Sequence, residues 1–261
     1  MLKALMRQDA RHLQIANLSL LIILGGSVWT LDLEPTVLLA LVSGSMLAQS
    51  VGLWLVRAGR WDYRSALITA LSLFLLLRVE APWQAFLIAL IAMGSKFLLR
   101  LNGKHLFNPS MFGLIIALAT GLGWVSTGQW GSGFLLLMVL LLGGPMTLLR
   151  VGRWDVSLTF ILAYGLLLFS YGAWLGDPST IAMHQLTSGA LLLFATFMIS
   201  DPMTIPDQRL GRVLFALLVV VVAGWIRLVL YIPNDALWAL FLVSLMTPLL
   251  DRVWRAERFA W

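Results

Sequence analysis

With 261 residues, of which 60% are hydrophobic and only 11% charged, the chain differs from soluble domains, in which roughly 25% of residues are charged. Its net charge of +6 is spread over many short segments, which is typical of membrane orientation and excludes a nucleic-acid surface. The absence of cysteine excludes iron–sulfur clusters and c-type haem, and the placement of all three histidines at the ends of apolar runs excludes a buried haem.

The bilayer is therefore the expected solvent, and we predict an all-α polytopic membrane protein. Residues 1–261 form one integral membrane domain with approximate halves at 14–126 and 132–254. About 20 apolar residues cross a membrane as a helix, and ten segments approach that length. In chain order, the predicted spans are 14–31, 36–56, 65–79, 83–99, 108–126, 132–149, 156–175, 185–200, 211–231 and 236–254.

Basic residues lie almost entirely on one side of this ten-span plan. Of the 18 Lys and Arg residues, all except Arg78 and Arg227 fall in the connections on that side. The positive-inside rule places that side, and with it both termini, in the cytoplasm. We predict a multi-pass protein of a bacterial-type cytoplasmic (inner) membrane.

Internal repeats indicate that the two halves are inverted copies of five helices each. The run ALSLFLLLRVEAP (70–82) aligns with ALLLFATFMISDP (190–202), and FNPSMFGLIIALA (107–119) resembles IPNDALWALFLVS (232–244). Five crossings separate the members of each pair, so one half is inverted relative to the other. The third and eighth spans are also the shortest, and short proline-interrupted segments in inverted halves indicate a site near the membrane midplane.

A further repeat falls on the cytoplasmic side in both of its copies. LVRAGRWD (55–62) recurs as LLRVGRWD (148–155). We interpret these loops as basic interfacial anchors, with Trp61 and Trp154 at the membrane surface.

Two stretches resemble the NqrB/RnfD family. They are SKFLLRLNGKHLFNPSMFG (95–113) and the long run from Leu186 to Asp251, which includes ISDPMT, LGRVLF and PLLD. The resemblance implies a membrane subunit of a sodium- or proton-coupled electron-transport complex. It also implies a urea-channel-like fold of two inverted five-helix repeats, and two flavins: one FMN linked covalently to a threonine and one flavin held without a bond.

The motif that carries the covalent FMN in that family is missing. The loop after the fifth span is reduced to GLGWVSTGQWGSG (121–133), and Ser188-Gly189-Ala190 is followed by Leu191 where the motif requires threonine. We therefore predict no covalent FMN and take a noncovalent flavin, riboflavin or FMN, as the candidate cofactor.

The resemblance implies that the noncovalent flavin lies beside Asn108-Pro109, at the start of the fifth span. Asp201, at the end of the short eighth span, is interpreted as a cation ligand or as a polar wall for the flavin or a quinone. The candidate cofactor-binding residues are Lys96, His105, Asn108, Pro109, Gly189, Asp201 and Pro202. Each also has a structural alternative. Asn108-Pro109 suits a helix start, His105 suits a solvated interface, and Asp201 suits a turn cap or an ion pair with Arg209 or Arg212.

Four charged residues near predicted span ends are candidates for an ion pathway: Asp201, Arg212, Arg227 and Asp235. Arg227 has two alternatives. Its long side chain reaches the interface, or it is buried against an outer carboxylate such as Asp235 or Glu80. No metal site is predicted.

Three functions are compatible with these residues. The first is a membrane subunit of a redox complex, with other membrane subunits and an FMN-binding or redox protein as partners and quinone as a candidate acceptor. The second is a channel or transporter for a small solute such as a flavin. The third is a scaffold that recruits partners through its basic loops. We favour the first, because the resemblance is long. We expect a subunit rather than a complete enzyme, because the sequence contains no nucleotide-binding fingerprint.

Overall fold

The computed structural model describes residues 9–27, 31–126 and 143–259, and these parts of the chain are mainly helical. Their strands form two antiparallel pairs, each of two-residue strands, and no closed sheet. An all-helical membrane protein is thus what the structure supports. The chain divides into two compact units, Met1–Gln129 (unit 1) and Trp130–Trp261 (unit 2).

Five helices form the described part of unit 1, and prolines start three of them. Pro35, Pro82 and Pro109 stand in the first turn, where a helix needs no N–H from them and their fixed φ suits its backbone. The helices are α1 (Ala10–Ser27), α2 (Pro35–Leu55), α3 (Arg64–Leu76), α4 (Pro82–Leu98) and α5 (Pro109–Thr120).

Helices α2 and α4 pack closely because a glycine of α2 faces α4. A Cβ atom added at Gly44 would lie 2.5 Å from the backbone oxygen of Phe86. Small residues at such positions let membrane helices approach each other. The same pairing brings Gln49, on the buried face of α2, beside Lys96 in the last turn of α4.

Helix α3 is short, and its C-terminal part is buried on every side. All residues over 69–76 are buried, as expected for a helix that is apolar all round. Its 13 residues reach about 20 Å, whereas the hydrocarbon core of a bilayer is about 30 Å thick. The predicted third span, 65–79, is therefore wrong at its end, because the helix stops at Leu76.

A strand pair joins the chain after α3 to the chain after α5. Strand β1 (Leu77–Arg78) pairs antiparallel with β4 (Trp124–Val125). Helix α5 ends before Gly121, which has a left-handed φ of 69° that glycine adopts without strain. The last part of the predicted fifth span, 108–126, is therefore turn and strand.

A hairpin that sequence analysis did not predict connects α4 with α5. Strand β2 (Arg100–Leu101) pairs with β3 (Lys104–His105). The turn is Asn102-Gly103, with φ of 51° and 84°, and Asn-Gly is favoured there because both residues tolerate positive φ. The hairpin holds His105 beside the end of α4.

Unit 2 contains seven helices in its described part, and two of them continue as π-helix. They are α6 (Gly144–Val151), α7 (Trp154–Leu175), α8 (Ser179–Leu186), α9 (Gly189–Leu193), α10 (Arg209–Trp225), α11 (Asp235–Ser244) and α12 (Thr247–Val253). The π-helical turns are Phe194–Met198 after α9 and Ile226–Leu230 after α10. Helix α8 largely falls in a segment that we predicted as a loop between spans.

Within the described residues, three helices are long and apolar enough to cross a membrane: α2, α7 and the continuous Arg209–Leu230. The pair α11 and α12, bent by 50° at its break, is a fourth candidate span. Shorter apolar helices are α3, α4, α5 and Gly189–Met198. The ten spans and the inverted repeat stay predictions, since residues 28–30 of the first predicted span and 132–142 of the sixth lie outside the described residues.

Candidate functional site

Asn108 starts helix α5 through its side chain. Its Oδ1 accepts the backbone N–H of Met111 at 3.1 Å and the hydroxyl of Ser110 at 2.6 Å, and Pro109 follows as the first helical residue. An asparagine that caps a helix in this way satisfies one of its free N–H groups. The helix-start interpretation of Asn108-Pro109 therefore describes its local structure.

His105 is buried, with 8% of its surface exposed, so its interpretation as a solvated interfacial residue is wrong. Its ring bonds the backbone of Lys96, while its Nδ1 has no hydrogen-bond partner among the described residues. Burial, together with the nearby charges of Lys96 and Arg100, lowers the pKa of His105 to about 3. The ring is therefore neutral near pH 7, with one buried nitrogen left over.

Lys96 lies near His105. We call these two residues, together with Asn108 three positions further along the chain, the unit 1 corner. The Nζ of Lys96 lies 3.4 Å from Oε1 of Gln49 and 5.5 Å from the ring centroid of Phe97. Gln49 is itself fixed, because its Nε2 donates to the backbone oxygen of Asp62 at 2.7 Å. The corner therefore combines a positive charge, a neutral imidazole with an unused nitrogen, and a helix N-terminus.

In unit 2, the structure brings together two of the predicted ion-pathway residues. Nη1 of Arg227 lies 3.6 Å from Oδ1 of Asp235, and this carboxylate is buried. Tyr164 donates its hydroxyl hydrogen to Oδ2 of Asp235 at 2.6 Å and accepts from Nη1 of Arg227 at 3.2 Å. Nη2 of Arg227 donates to Oε1 of Gln185 at 2.8 Å. We call these four residues the Arg227 network.

Three different helical segments and a helix start build this network. Tyr164 belongs to α7, Gln185 to α8, Arg227 to the π-helical turn after α10, and Asp235 to the start of α11. Asp235 was one of the two carboxylates predicted as a partner of Arg227, whereas Tyr164 and Gln185 were not predicted. Neither of these two carries a local signal, because only the tertiary fold brings them to Arg227.

Asp201 and Pro202 form a tight turn after the π-helix that follows α9. Oδ1 of Asp201 accepts the N–H of Met203 at 3.1 Å, and its carbonyl accepts the N–H of Thr204 at 3.1 Å. Proline in the second position of such a turn is favoured because its φ is already fixed. Gly189, buried, starts the helix that leads to this turn. The turn-cap alternative therefore describes the local structure of Asp201.

Arg212 is held by Asp155. Its Nε and Nη2 donate to the carboxylate of Asp155 at 3.0 and 2.7 Å, and both side chains are buried. Arg209 lies 3.8 Å from the same carboxylate. The aspartate that binds both arginines is therefore one that sequence analysis did not consider as their partner.

Asp155 is the last residue of the repeated motif GRWD. Sequence analysis assigned no role to the aspartate of that motif. In the first copy, Asp62 binds Arg64 at 2.7 Å and Arg11 at 2.9 Å, and the guanidinium of Arg64 helps to hold the pKa of Asp62 well below its usual range. Each copy thus supplies an aspartate that ties arginines to the start of a helix. The repeat stabilises the fold at these points, beyond the anchoring that we predicted.

The family match to known proteins lies mainly in unit 2. A model of the NQR2, RnfD, RnfE family matches residues 120–260. The stretch from Leu186 to Asp251 lies inside this match, and the stretch 95–113 lies outside it.

Curated relatives are each named as the D subunit of an ion-translocating oxidoreductase complex. The chain is 35% identical to the one from Stutzerimonas stutzeri over 132 residues, and 33% identical to the one from Psychromonas ingrahamii over 112 residues. It is 33% identical to the one from Salmonella paratyphi B over 134 residues. These alignments cover 47%, 42% and 50% of this chain but only 35%, 32% and 35% of the relatives.

Proposed function

The chain belongs to the NQR2, RnfD, RnfE family, and from this membership we propose that it is a membrane subunit of an Rnf- or Nqr-like, ion-coupled electron-transport complex. The name of its relatives, which places them in an ion-translocating oxidoreductase complex, supports the proposal. So do the apolar helices of both units, which suit a multi-pass subunit. Its partners are then other membrane subunits and an FMN-binding or redox protein, in a bacterial-type inner membrane with both termini cytoplasmic.

The two units are, in this proposal, inverted repeats. The short apolar helix α3, with 13 residues, lies in the middle of unit 1, and the short apolar segment Gly189–Met198 lies in the middle of unit 2. The stretch after α3 ends at Pro82, the first residue of α4, and the irregular stretch after Met198 contains Pro202 and Pro206 before α10 begins. Short interrupted helices at corresponding places support a binding site near the membrane midplane.

The unit 1 corner is the proposed place of a noncovalent flavin, and the unused Nδ1 of His105 is the observation that carries this step. The other ring nitrogen bonds the backbone of Lys96, and this bond raises the pKa, as a carbonyl acceptor does. That nitrogen therefore carries the proton, and Nδ1 is an acceptor. The isoalloxazine ring of a flavin has N–H groups that suit such an acceptor.

The charges of the unit 1 corner also suit a bound flavin. Lys96 supplies a positive charge, and the N-terminus of α5 adds the partial positive charge of its N–H groups. Both favour a reduced, anionic ring over an oxidised, neutral one. A flavin bound here supplies reversible electron transfer, while the residues of this chain bind it and set its charge.

The Arg227 network is the proposed ion-pathway element, and we assign Arg212 to the fold. Asp235 is a buried carboxylate held by a tyrosine and an arginine, the kind of group that marks ion routes in membrane proteins. Arg212, by contrast, is fully engaged by Asp155 and the backbone of Asp207. A quinone as electron acceptor is compatible with this proposal.

The decisive experiment measures the flavin that purified protein releases on denaturation. We expect a noncovalent flavin in the wild type, and at least about fivefold weaker retention in His105→Ala, because an unmade buried hydrogen bond costs about 1–3 kcal/mol. His184→Ala is the matched control, since His184 is exposed. A colourless wild type, or equal retention in both variants, would contradict the flavin site. A colourless protein that conducts a solute into liposomes would support the transporter alternative.

A further inference from the structure

A cavity of about 330 Å³ lies in unit 2, at the C-terminal end of α7. Its walls come from α7, from the turn at Asp177-Pro178, from α8 and from Arg227, and include Leu168, Phe169 and Tyr171. Helix α7 has 22 residues and is therefore about 33 Å long, close to the thickness of the hydrocarbon core. The cavity touches its last two turns and so lies at one membrane interface.

Aromatic residues lie at the same membrane depth as the cavity. Trp174 is 78% exposed, and its ring centroid lies 5.8 Å from that of Tyr171. Tyrosine and tryptophan concentrate at the depth of lipid headgroups, because one end of each is apolar and the other polar. Around the cavity, Leu166 is 70% exposed, so an apolar surface continues from its edge along α7.

The cavity is lined by a positively charged group, the guanidinium of Arg227, whose orientation is fixed by its neighbours. This guanidinium is held by Tyr164, Asp235 and Gln185, the last of which also lines the cavity. The two hydrogen bonds use one N–H of each Nη atom, and 32% of the side chain is exposed. A guanidinium has five N–H groups, so donors remain for an anion in the cavity.

A negative charge lies at the rim. Asp177 lines the cavity and is exposed. Asp235 already balances the charge of Arg227, so a simple anion would meet the second carboxylate unfavourably. A ligand with a phosphate and an ammonium group separated by a short linker suits both charges at once.

We propose that this cavity binds the headgroup of phosphatidylethanolamine, with the phosphate on Arg227 and the ammonium on Asp177. The acyl chains lie along the exposed apolar side chains that continue from the cavity on α7. The membrane itself supplies this ligand at the depth of the cavity, whereas a soluble phosphate compound would have to enter from the aqueous phase. The bound lipid would fix α7, α8 and the π-helical turn against each other.

The test measures lipid retained by the purified full chain, by native mass spectrometry, after exposure to equal amounts of phosphatidylethanolamine and phosphatidylglycerol. We expect the wild type to prefer phosphatidylethanolamine. Asp177→Asn should reduce that preference about two- to fivefold, as expected for one exposed ion pair. Arg227→Gln should reduce retention of both lipids by about tenfold or more, because charge-assisted bonds to phosphate are lost.

Matched variants separate the site from general effects. Asp32→Asn removes the same charge from another exposed position and should leave lipid preference unchanged. If Arg227→Gln does not assemble, Ala173→Trp, which fills the cavity from α7, should lower lipid retention in its place. Equal preference in the wild type and Asp177→Asn would overturn the proposal. Tighter retention of soluble phosphoethanolamine than of phosphatidylethanolamine by the wild type would also overturn it and assign the cavity to a soluble phosphate compound.

Discussion

At the scale of single residues, Asp155 and Arg212 show how this chain keeps charge inside a membrane protein. They are 5% and 6% exposed, and the guanidinium meets the carboxylate through Nε and Nη2. Two buried charges stabilise each other only as a pair, because either one alone would stay desolvated without compensation. The stability of this buried ion pair therefore depends on both side chains being present.

Replacing one partner should destabilise the protein strongly, and replacing both should not. We expect Arg212→Met to lower the free energy of unfolding by about 3–5 kcal/mol. Among the described residues, it leaves the buried carboxylate of Asp155 with only the exposed Arg209, at 3.8 Å, as an ion-pair partner. The double variant Asp155→Leu, Arg212→Met should recover much of that loss. Thermal unfolding in detergent would measure both. Arg209→Ala is the control, because Arg209 is exposed and its contact should contribute less than about 1 kcal/mol.

His105 makes stability depend on pH in a defined window. Its pKa is about 3 in the folded protein, against about 6.5 in an unfolded chain, so the unfolded state binds more protons between these values. The contribution of the neutral ring is therefore fully present above pH 6.5 and is lost as the pH falls from there towards 3. We expect a slope of up to about 1.4 kcal/mol per pH unit in the free energy of unfolding.

His105→Gln should flatten this part of the pH dependence, because glutamine does not titrate. Chemical unfolding at several pH values between 4 and 7 would show the difference in slope. His184→Gln serves as the comparison, since the side chain it replaces is exposed. An unchanged slope in His105→Gln would mean that other groups produce the dependence.

At the scale of helices, the contact between α2 and α4 depends on a missing side chain. The Cβ of Gly44→Ala would lie 2.5 Å from a backbone oxygen of α4, which cannot move as a side chain can. We expect this substitution to lower the free energy of unfolding by about 1–3 kcal/mol, the usual effect of overpacking. Gly94→Ala in α4 is the control: nothing lies within 4 Å of its added Cβ, so it should be neutral or stabilising. Equal stability of the two variants would show that α2 shifts without cost.

Hydropathy and proline positions predict where the helices of this chain are, but they do not predict how the helices end. The starts at Pro35, Pro82 and Pro109 lie within a residue or two of the predicted starts, because proline is favoured in a first helical turn. The ends of α3 and α5 were missed, because apolar residues such as Leu77 and Val125 suit a strand as well as a helix.

The candidate site was predictable to the extent that its residues are close in sequence or of opposite charge. His105 and Asn108 belong to one short segment, and Arg227 with Asp235 follows from charge alone. Tyr164, Gln185 and Asp155 come from distant helices, and a single sequence carries no signal of such tertiary neighbours. The Asn102-Gly103 turn is different, because Asn-Gly is a recognised hairpin signal in a sequence.

At the scale of the whole molecule, the distribution of charge predicts how the chain crosses the membrane. All Lys and Arg residues other than Arg78 and Arg227 lie on one side of the ten-span plan. We expect reporter fusions after Asp32, Trp130 and Asp177 to report the outside, since the positive-inside rule keeps the other side in the cytoplasm. Trp130 lies outside the described residues, so this position tests the plan independently of the structure. A cytoplasmic signal there would contradict the ten-span plan, because the plan requires an odd number of crossings before Trp130.

The short length of α3 has an electrical consequence. If α3 begins at the bilayer surface, its end near Arg78 lies about 20 Å deep, roughly two-thirds of the way through the hydrocarbon layer. A charge at that depth experiences part of the voltage across the membrane, and a full crossing corresponds to about 2.3 kcal/mol per 100 mV. The guanidinium of Arg78, which donates hydrogen bonds to the carbonyls of Phe74 and Leu77, would transmit the resulting electrical force directly to the helix end. A cell membrane that carries a voltage would then exert an electrical force on this part of the fold, and a detergent micelle, which carries no such voltage, would not.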